Sequence, residues 1–176
     1  MHIYININNK KINLDYRELA EKMWFKSYKG KELELSHIGN TSWLNENYRL
    51  ALKWDKWGND HRWSTNDAVK SFSDEYISLD PIRENSVMYI ETDHVNIVQV
   101  DFRALCIMTK ELAEAVKGLI SDDAMKTWLS LEEFEEKYNT VLDMSFENAN
   151  DQSLNEVLDL DMEVIEEPWD NEVKYD

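Results

Sequence analysis

The chain has little of several things that would fix its class at once. One cysteine, Cys106, occurs in 176 residues, so no internal disulfide can form and a disulfide-stapled secreted scaffold is excluded. Four glycines and two prolines exclude collagen-like, linker-like and proline-rich chains, and they leave no glycine-rich phosphate loop. No apolar run is long enough to span a bilayer. The start, Met1-His2-Ile3-Tyr4-Ile5-Asn6, lacks the basic residues and apolar stretch of a signal peptide. A protein of the reducing cytoplasm is the expectation. Cysteine pairs for zinc are absent, and none of His2, His37, His61 and His94 lies one helical turn from another. Neither a metal nor a cofactor is expected, and no nucleophile, base or acid motif points to an enzyme.

Basic side chains are the other scarcity. Lys and Arg number 19 against 36 Asp and Glu, a formal net charge of −17. The imbalance is uneven. Residues 1–70 carry 12 basic and 9 acidic side chains, net +3, whereas residues 71–176 carry 7 and 27, net −20. Charge of this kind speaks about partners rather than fold. Nucleic acid and anionic membrane both repel it, so direct binding to either is not expected. A basic protein is the expected partner; the sequence says nothing of oligomeric state.

What is present is enough to build a core. At 43% hydrophobic and 11% aromatic residues, a chain of one-domain length offsets its ordering entropy without staples. Ile3 to Ile7 reads as a strand, with Ile12-Asn13-Leu14 as the returning arm of a hairpin. Asp15, with Glu18 three residues on, marks a helix start. Tyr16, Leu19, Ala20, Met23 and Trp24 then follow the spacing of one apolar helical face, and Gly30 ends it. Lys31 to His37 predicts a short strand. Tyr48 to Trp54 predicts another, with a helix from about Ser42 as the alternative.

Ser64 and Asp67 predict a helix carrying Ala68, Val69, Phe72 and Tyr76, and Pro81 breaks the chain. Val87 to Ile90 and Val95 to Val100 read as a hairpin. Thr109 caps a helix with Leu112, Ala115, Val116, Leu119 and Ile120 inward, and Ser130 with Glu133 caps a last one through Phe134, Tyr138 and Leu142. Cys106, inside Ala104-Leu105-Cys106-Ile107-Met108, reads as a buried small residue. The expected fold is α+β, an antiparallel sheet built from hairpins packed against three or more amphipathic helices. Residues 1–150 form the domain and 151–176 an acidic extension.

Two features are candidate binding sites. Leu158 to Val164 alternates strictly, so Leu158, Leu160, Met162 and Val164 would face the domain from a strand while Asp159, Asp161 and Glu163 face outward, with Glu166 and Glu167 following. A row of carboxylates repels itself unless a cation relieves it, and it imitates the charge row of DNA. The second feature is aromatic: Trp43, Trp54, Trp57 and Trp63, interleaved with Asp55, Asp60, His61 and Arg62. At least two of these tryptophans read as core, and Trp57 and Trp63, which flank a loop, are the surface candidates.

Size, acidity and the lack of catalytic motifs point to a non-enzymatic inhibitor that neutralises a basic, nucleic-acid-acting protein, as a toxin immunity protein does. The alternative is an anti-defence protein of phage or plasmid, directed at CRISPR or restriction, that mimics nucleic acid. The two differ in partner, not in physics.

Overall fold

The computed structural model describes residues 2–159, and in them the chain is α+β. Its centre is a six-stranded sheet in which every neighbouring pair is antiparallel. In chain order the strands are β1 (His2–Asn6), β4 (Leu35–Ile38), β5 (Leu50–Trp54), β6 (Ile77–Ile82), β7 (Val87–Thr92) and β8 (Ile120–Ser121), while β2 (Ser27–Tyr28) and β3 (Lys31–Glu32) form a separate hairpin. The sheet order is β4-β5-β6-β7-β1-β8.

The alternation of side chains decides which face is covered. Ile3, Ile5, Leu50, Leu52, Ile77, Leu79, Met88 and Ile90 are buried and fall on one face by register. The opposite face carries His2, Tyr4, Ser78, Asp80 and Glu91, all half-buried or exposed. Over the apolar face runs α5 (Gln99–Val116), which packs on β1 and on the helices α1 (Tyr16–Met23), α6 (Leu131–Lys137), α7 (Asn139–Leu142) and α8 (Phe146–Asp159). The other three helices of the described residues are α2 (Thr41–Asn47), α3 (Lys56–Asn59) and α4 (Asp67–Ser71).

Several expectations hold. Asp15 caps α1 by accepting the Arg17 and Glu18 backbone N–H groups, and Ser130 and Glu133 form a complete capping box on α6. Leu19, Met23, Leu112, Val116 and Phe134 have no solvent exposure, whereas Tyr138 is half-buried. Cys106 is buried, and burial pushes its thiol up to about 12, which keeps it protonated and inert. No helix among the described residues is long and apolar enough to cross a membrane.

Others are corrected. β1 does not fold back on Ile12 to Leu14; it pairs with β7 and β8, which bury both its edges. Gly30 does not end α1, which stops at Met23; it forms, with Lys29, a turn of positive φ (51° and 78°) between β2 and β3. The helix alternative near Ser42 and the strand both exist, as α2 followed by β5. The helix carrying Val69 is capped by Asn66, not Ser64, and ends at Ser71, so Tyr76 is not on it. Pro81 lies within β6, and the hairpin is β6–β7. Pro81 is tolerated because β5 pairs only as far as Leu79, so no neighbour needs its missing N–H. Val95 to Val98 is loop, and Gln99 to Met108 are the first ten residues of α5.

The expected division at residue 150 falls inside α8, whose final residues are Leu158 and Asp159. The strand expected from Leu158 therefore does not begin there; Leu160 to Val164 lie outside the described residues. Over residues 146–157 of α8, Phe146, Ala149, Asn150, Ser153, Leu154 and Val157 are the buried positions, spaced for a helix. Three of the six are Ala, Asn and Ser, so hydrophobicity alone concealed the stripe.

Candidate functional site

The segment after β5 folds as a short helix, α3, followed by a single 3₁₀ turn over His61–Ser64. Lys56, Asn59, Asp60 and Trp63 stand at i, i+3, i+4 and i+7, and all four are buried. Trp57 and His61 point the other way and are exposed, Trp57 by 63%. Trp63 therefore is not a surface residue. Its ring meets Trp54 edge-on at 6.4 Å, and its indole N–H donates to Asn150 Oδ1 at 2.8 Å. Of the four tryptophans, Trp54 and Trp63 are core while Trp43 and Trp57 are exposed. The 3,4,7 spacing was legible in the sequence and separates Trp57 from Trp63.

Asp60 is the hub beneath this loop. Its carboxylate accepts from Arg62 Nε and Nη2, the latter at 2.6 Å, from Asn150 Nδ2 at 3.0 Å and from the Tyr28 hydroxyl at 3.2 Å, with Lys29 Nζ at 3.4 Å. Burial pushes this carboxyl up, but the Arg62 side-chain and backbone donors and Asn150 together hold it well below the usual carboxylate range. Asn59 works similarly without charge, accepting from Trp54 Nε1 and the Glu34 N–H while donating to the Glu32 carbonyl.

A second buried array lies behind it. Lys56 Nζ donates to Asp101 Oδ2 at 2.7 Å and to the Phe72 carbonyl at 2.9 Å, and it stands 5.1 Å from the Trp63 ring centroid. Burial pushes the Asp101 carboxyl up while Lys56 pulls it back. Glu75, itself 4% exposed, accepts from the His94 backbone N–H and meets His94 Nδ1 at 2.5 Å. Burial raises Glu75 to about 7, with the Asp101 charge adding to it and His94 opposing. Lys56, Glu75 and Asp101 are all buried, and the Lys56–Asp101 pair ties α3 to α5. It is a structural ion cluster.

One open cleft of about 530 Å³ lies among α1, α5, α6 and α7, lined by Lys22, Lys110, Glu111, Glu135 and their neighbours. Lys22 pairs with Glu111 at 2.5 Å and Lys110 with Glu135 at 2.6 Å. The Glu135 hydrogen bond raises the Lys110 ammonium, the reverse of what a nucleophilic lysine needs.

The acidic surface comes from α6 to α8. Residues 131–159 contain nine carboxylates and one basic residue, Lys137, net −8. Lys137 is turned to Asp122 at 2.5 Å. Asp151 pairs with Arg62 at 2.9 Å and Glu135 with Lys110. Glu132, Glu136, Asp143 and Glu156 are exposed and have no cation at ion-pair distance among the described residues. Of the sequence candidates, Asp159 ends α8; Asp161, Glu163, Glu166 and Glu167 lie outside the described residues. α8 is joined to the loop through Arg62 and Asn150. Glu147, Asp151 and Glu156 of α8 were missed by sequence reasoning because the helix itself was missed.

Comparison with protein-family models, with curated proteins and with solved structures finds no match.

Proposed function

We propose that the protein is a non-enzymatic inhibitor that binds and neutralises a basic, nucleic-acid-acting protein, in the manner of a toxin immunity protein. The observation that carries this reading is the α6–α8 surface, where exposed carboxylates outnumber cations and four of them have no cation beside them. A nuclease or nucleic-acid-binding effector needs a basic cleft. Carboxylates displayed on rigid helices meet such a cleft with little ordering cost and speed its capture. The anti-defence reading uses the same surface against a different partner.

The test is capture of the partner from the native host by wild type and by a variant with Glu132, Glu136 and Asp143 changed to Gln, Gln and Asn. A basic protein whose nucleic-acid activity is suppressed by wild type, and which the variant binds at least tenfold more slowly, supports the proposal. A captured partner of acidic character, or equal association rates, overturns it. Association should also slow as NaCl is raised, because a Debye length of about 8 Å at physiological ionic strength shortens further with added salt. A flat salt response would count against electrostatic capture.

A further inference from the structure

The two edges of the sheet are finished differently. At one edge β8 is two residues long, and Ile120 exchanges both backbone hydrogen bonds with Leu129, N to O at 2.9 and 2.7 Å. That edge is closed by the chain itself. At the other edge stands β4, Leu35-Ser36-His37-Ile38.

The direction of the β4 backbone follows from one hydrogen bond. Asp55 N donates to Glu34 O at 3.0 Å, and the register places Glu34 opposite Asp55. Hydrogen-bonded pairs alternate in an antiparallel ladder, so Ser36 pairs inward with Lys53 and Ile38 with Ala51. Leu35 and His37 therefore direct their N–H and C=O groups away from the sheet. The strand contains no Lys or Pro, the usual guards of a free edge.

Apolar groups gather at this edge. Among the described residues five large hydrophobic side chains are exposed, and three of them lie on β4 or in the segments next to it. Ile38 is on the strand. Trp43, on α2, lies against Gly39 just past its end. Trp57 lies two residues after Asp55, which is opposite Glu34, and directly before Gly58, which the Glu34 carboxylate approaches. The charge beside the strand is also one-sided. Lys31 is bound to the Gly58 carbonyl, Lys53 to Asp74, Arg49 to Asp80, and Arg17 to the Leu33 carbonyl. Glu32 and Glu34 are exposed and have no cation at ion-pair distance among the described residues.

We propose that the β4 edge receives an extended segment of the basic partner as a seventh strand, paired to the backbone of Leu35 and His37, flanked by Trp43 and Trp57, with its cations opposite Glu32 and Glu34. The pairing supplies affinity and the flanking side chains supply selectivity. This rests on the reading of the partner as basic and adds where and in what conformation that partner binds.

The probe is a blocked synthetic heptapeptide, Thr-Lys-Val-Arg-Val-Lys-Thr, with two relatives: one N-methylated at alternate residues, which keeps charge but cannot pair, and one with Glu for each Lys and Arg. Tryptophan fluorescence and amide exchange by NMR read the binding. The basic peptide should bind and slow exchange at the Leu35 and His37 amides at least tenfold at saturation. N-methylation should weaken binding at least tenfold, and the acidic peptide should not bind detectably. His37→Pro removes one outward N–H while leaving the β4–β5 ladder intact; with an unchanged melting temperature it should lose peptide binding. Binding of the basic peptide that N-methylation leaves unchanged overturns the edge pairing while the basic-partner reading stands. Equal binding of the acidic peptide overturns the charge assignment while the edge stands. No binding by the basic peptide, slow exchange of Leu35 and His37 in the free monomer, or a dimer by light scattering each overturns the proposal, the last two because the chain itself or a second copy fills the edge.

Discussion

Asp60 and Glu75 are both carboxylates with almost no contact with solvent, at 1% and 4% exposure, yet they titrate on opposite sides of the ordinary carboxylate range. Burial pushes both upward. Asp60 is met by a guanidinium in two-point contact, by Asn150 and by Tyr28, and those donors win. Glu75 is met by the His94 ring and backbone N–H, with the Asp101 carboxylate nearby, and burial wins. Desolvation sets the cost, and the number and charge of donors decide whether it is recovered.

The largest effect expected from breaking this contrast is at Asp60. Asp60→Ala leaves Arg62, Asn150 and Tyr28 without their common acceptor and should cost about 3–5 kcal/mol, read as a shift in the urea midpoint. Next is Lys56→Met, which strands Asp101 and should cost about 3 kcal/mol at pH 7. The double change with Asp101→Leu should recover most of that loss, because two apolar groups of similar size leave no charge behind.

The pH dependences should have opposite signs. Asp60 is depressed when folded, so its stabilisation is present above the unfolded value near 3.8 and is lost as the pH falls below it. Glu75 is raised from 4.5 to about 7, so its contribution is complete below 4.5 and is lost as the pH rises through 7. Between pH 5 and 8 wild type should lose on the order of 2 kcal/mol from this source, and Glu75→Gln should flatten that limb while leaving the acid limb in place. The smallest effect belongs to the exposed end of the Asp60 network: Asp151→Asn removes a partner that is 58% exposed from Arg62 and should change stability by less than about 1 kcal/mol. A large loss there would mean that Arg62 depends on Asp151 for its orientation toward Asp60.

Where sequence and structure agree, the signal was local and chemical. Asp15 and the Ser130–Glu133 pair cap helices because side chain and backbone lie within one turn. Where they part, the deciding partner is distant in sequence. β1 finds β7 and β8 rather than the nearer Ile12. α8 is held by Asn150 to Asp60 and Trp63, and by the Ser153 hydroxyl accepting from the Val100 N–H at 2.8 Å. No periodicity of apolar residues announces contacts made by Asn and Ser. Of the candidate site, Trp57 was legible as an exposed aromatic; the open β4 edge was not, because strand order is a property of the assembled sheet.

The place of β1 between β7 and β8 has a consequence in time. His2 pairs with Glu91 and Tyr4 with Ser121, so β1 waits for two strands made long after it. At about 5–20 residues per second of synthesis, Ile3 and Ile5 remain without their neighbours for several seconds at least. Until then the apolar face that will form the core has nothing opposite it. The sheet closes only after β8 has emerged from the ribosome, and Asp60 gains the Asn150 amide later still, so this buried carboxylate completes its set of donors only once α8 has been made.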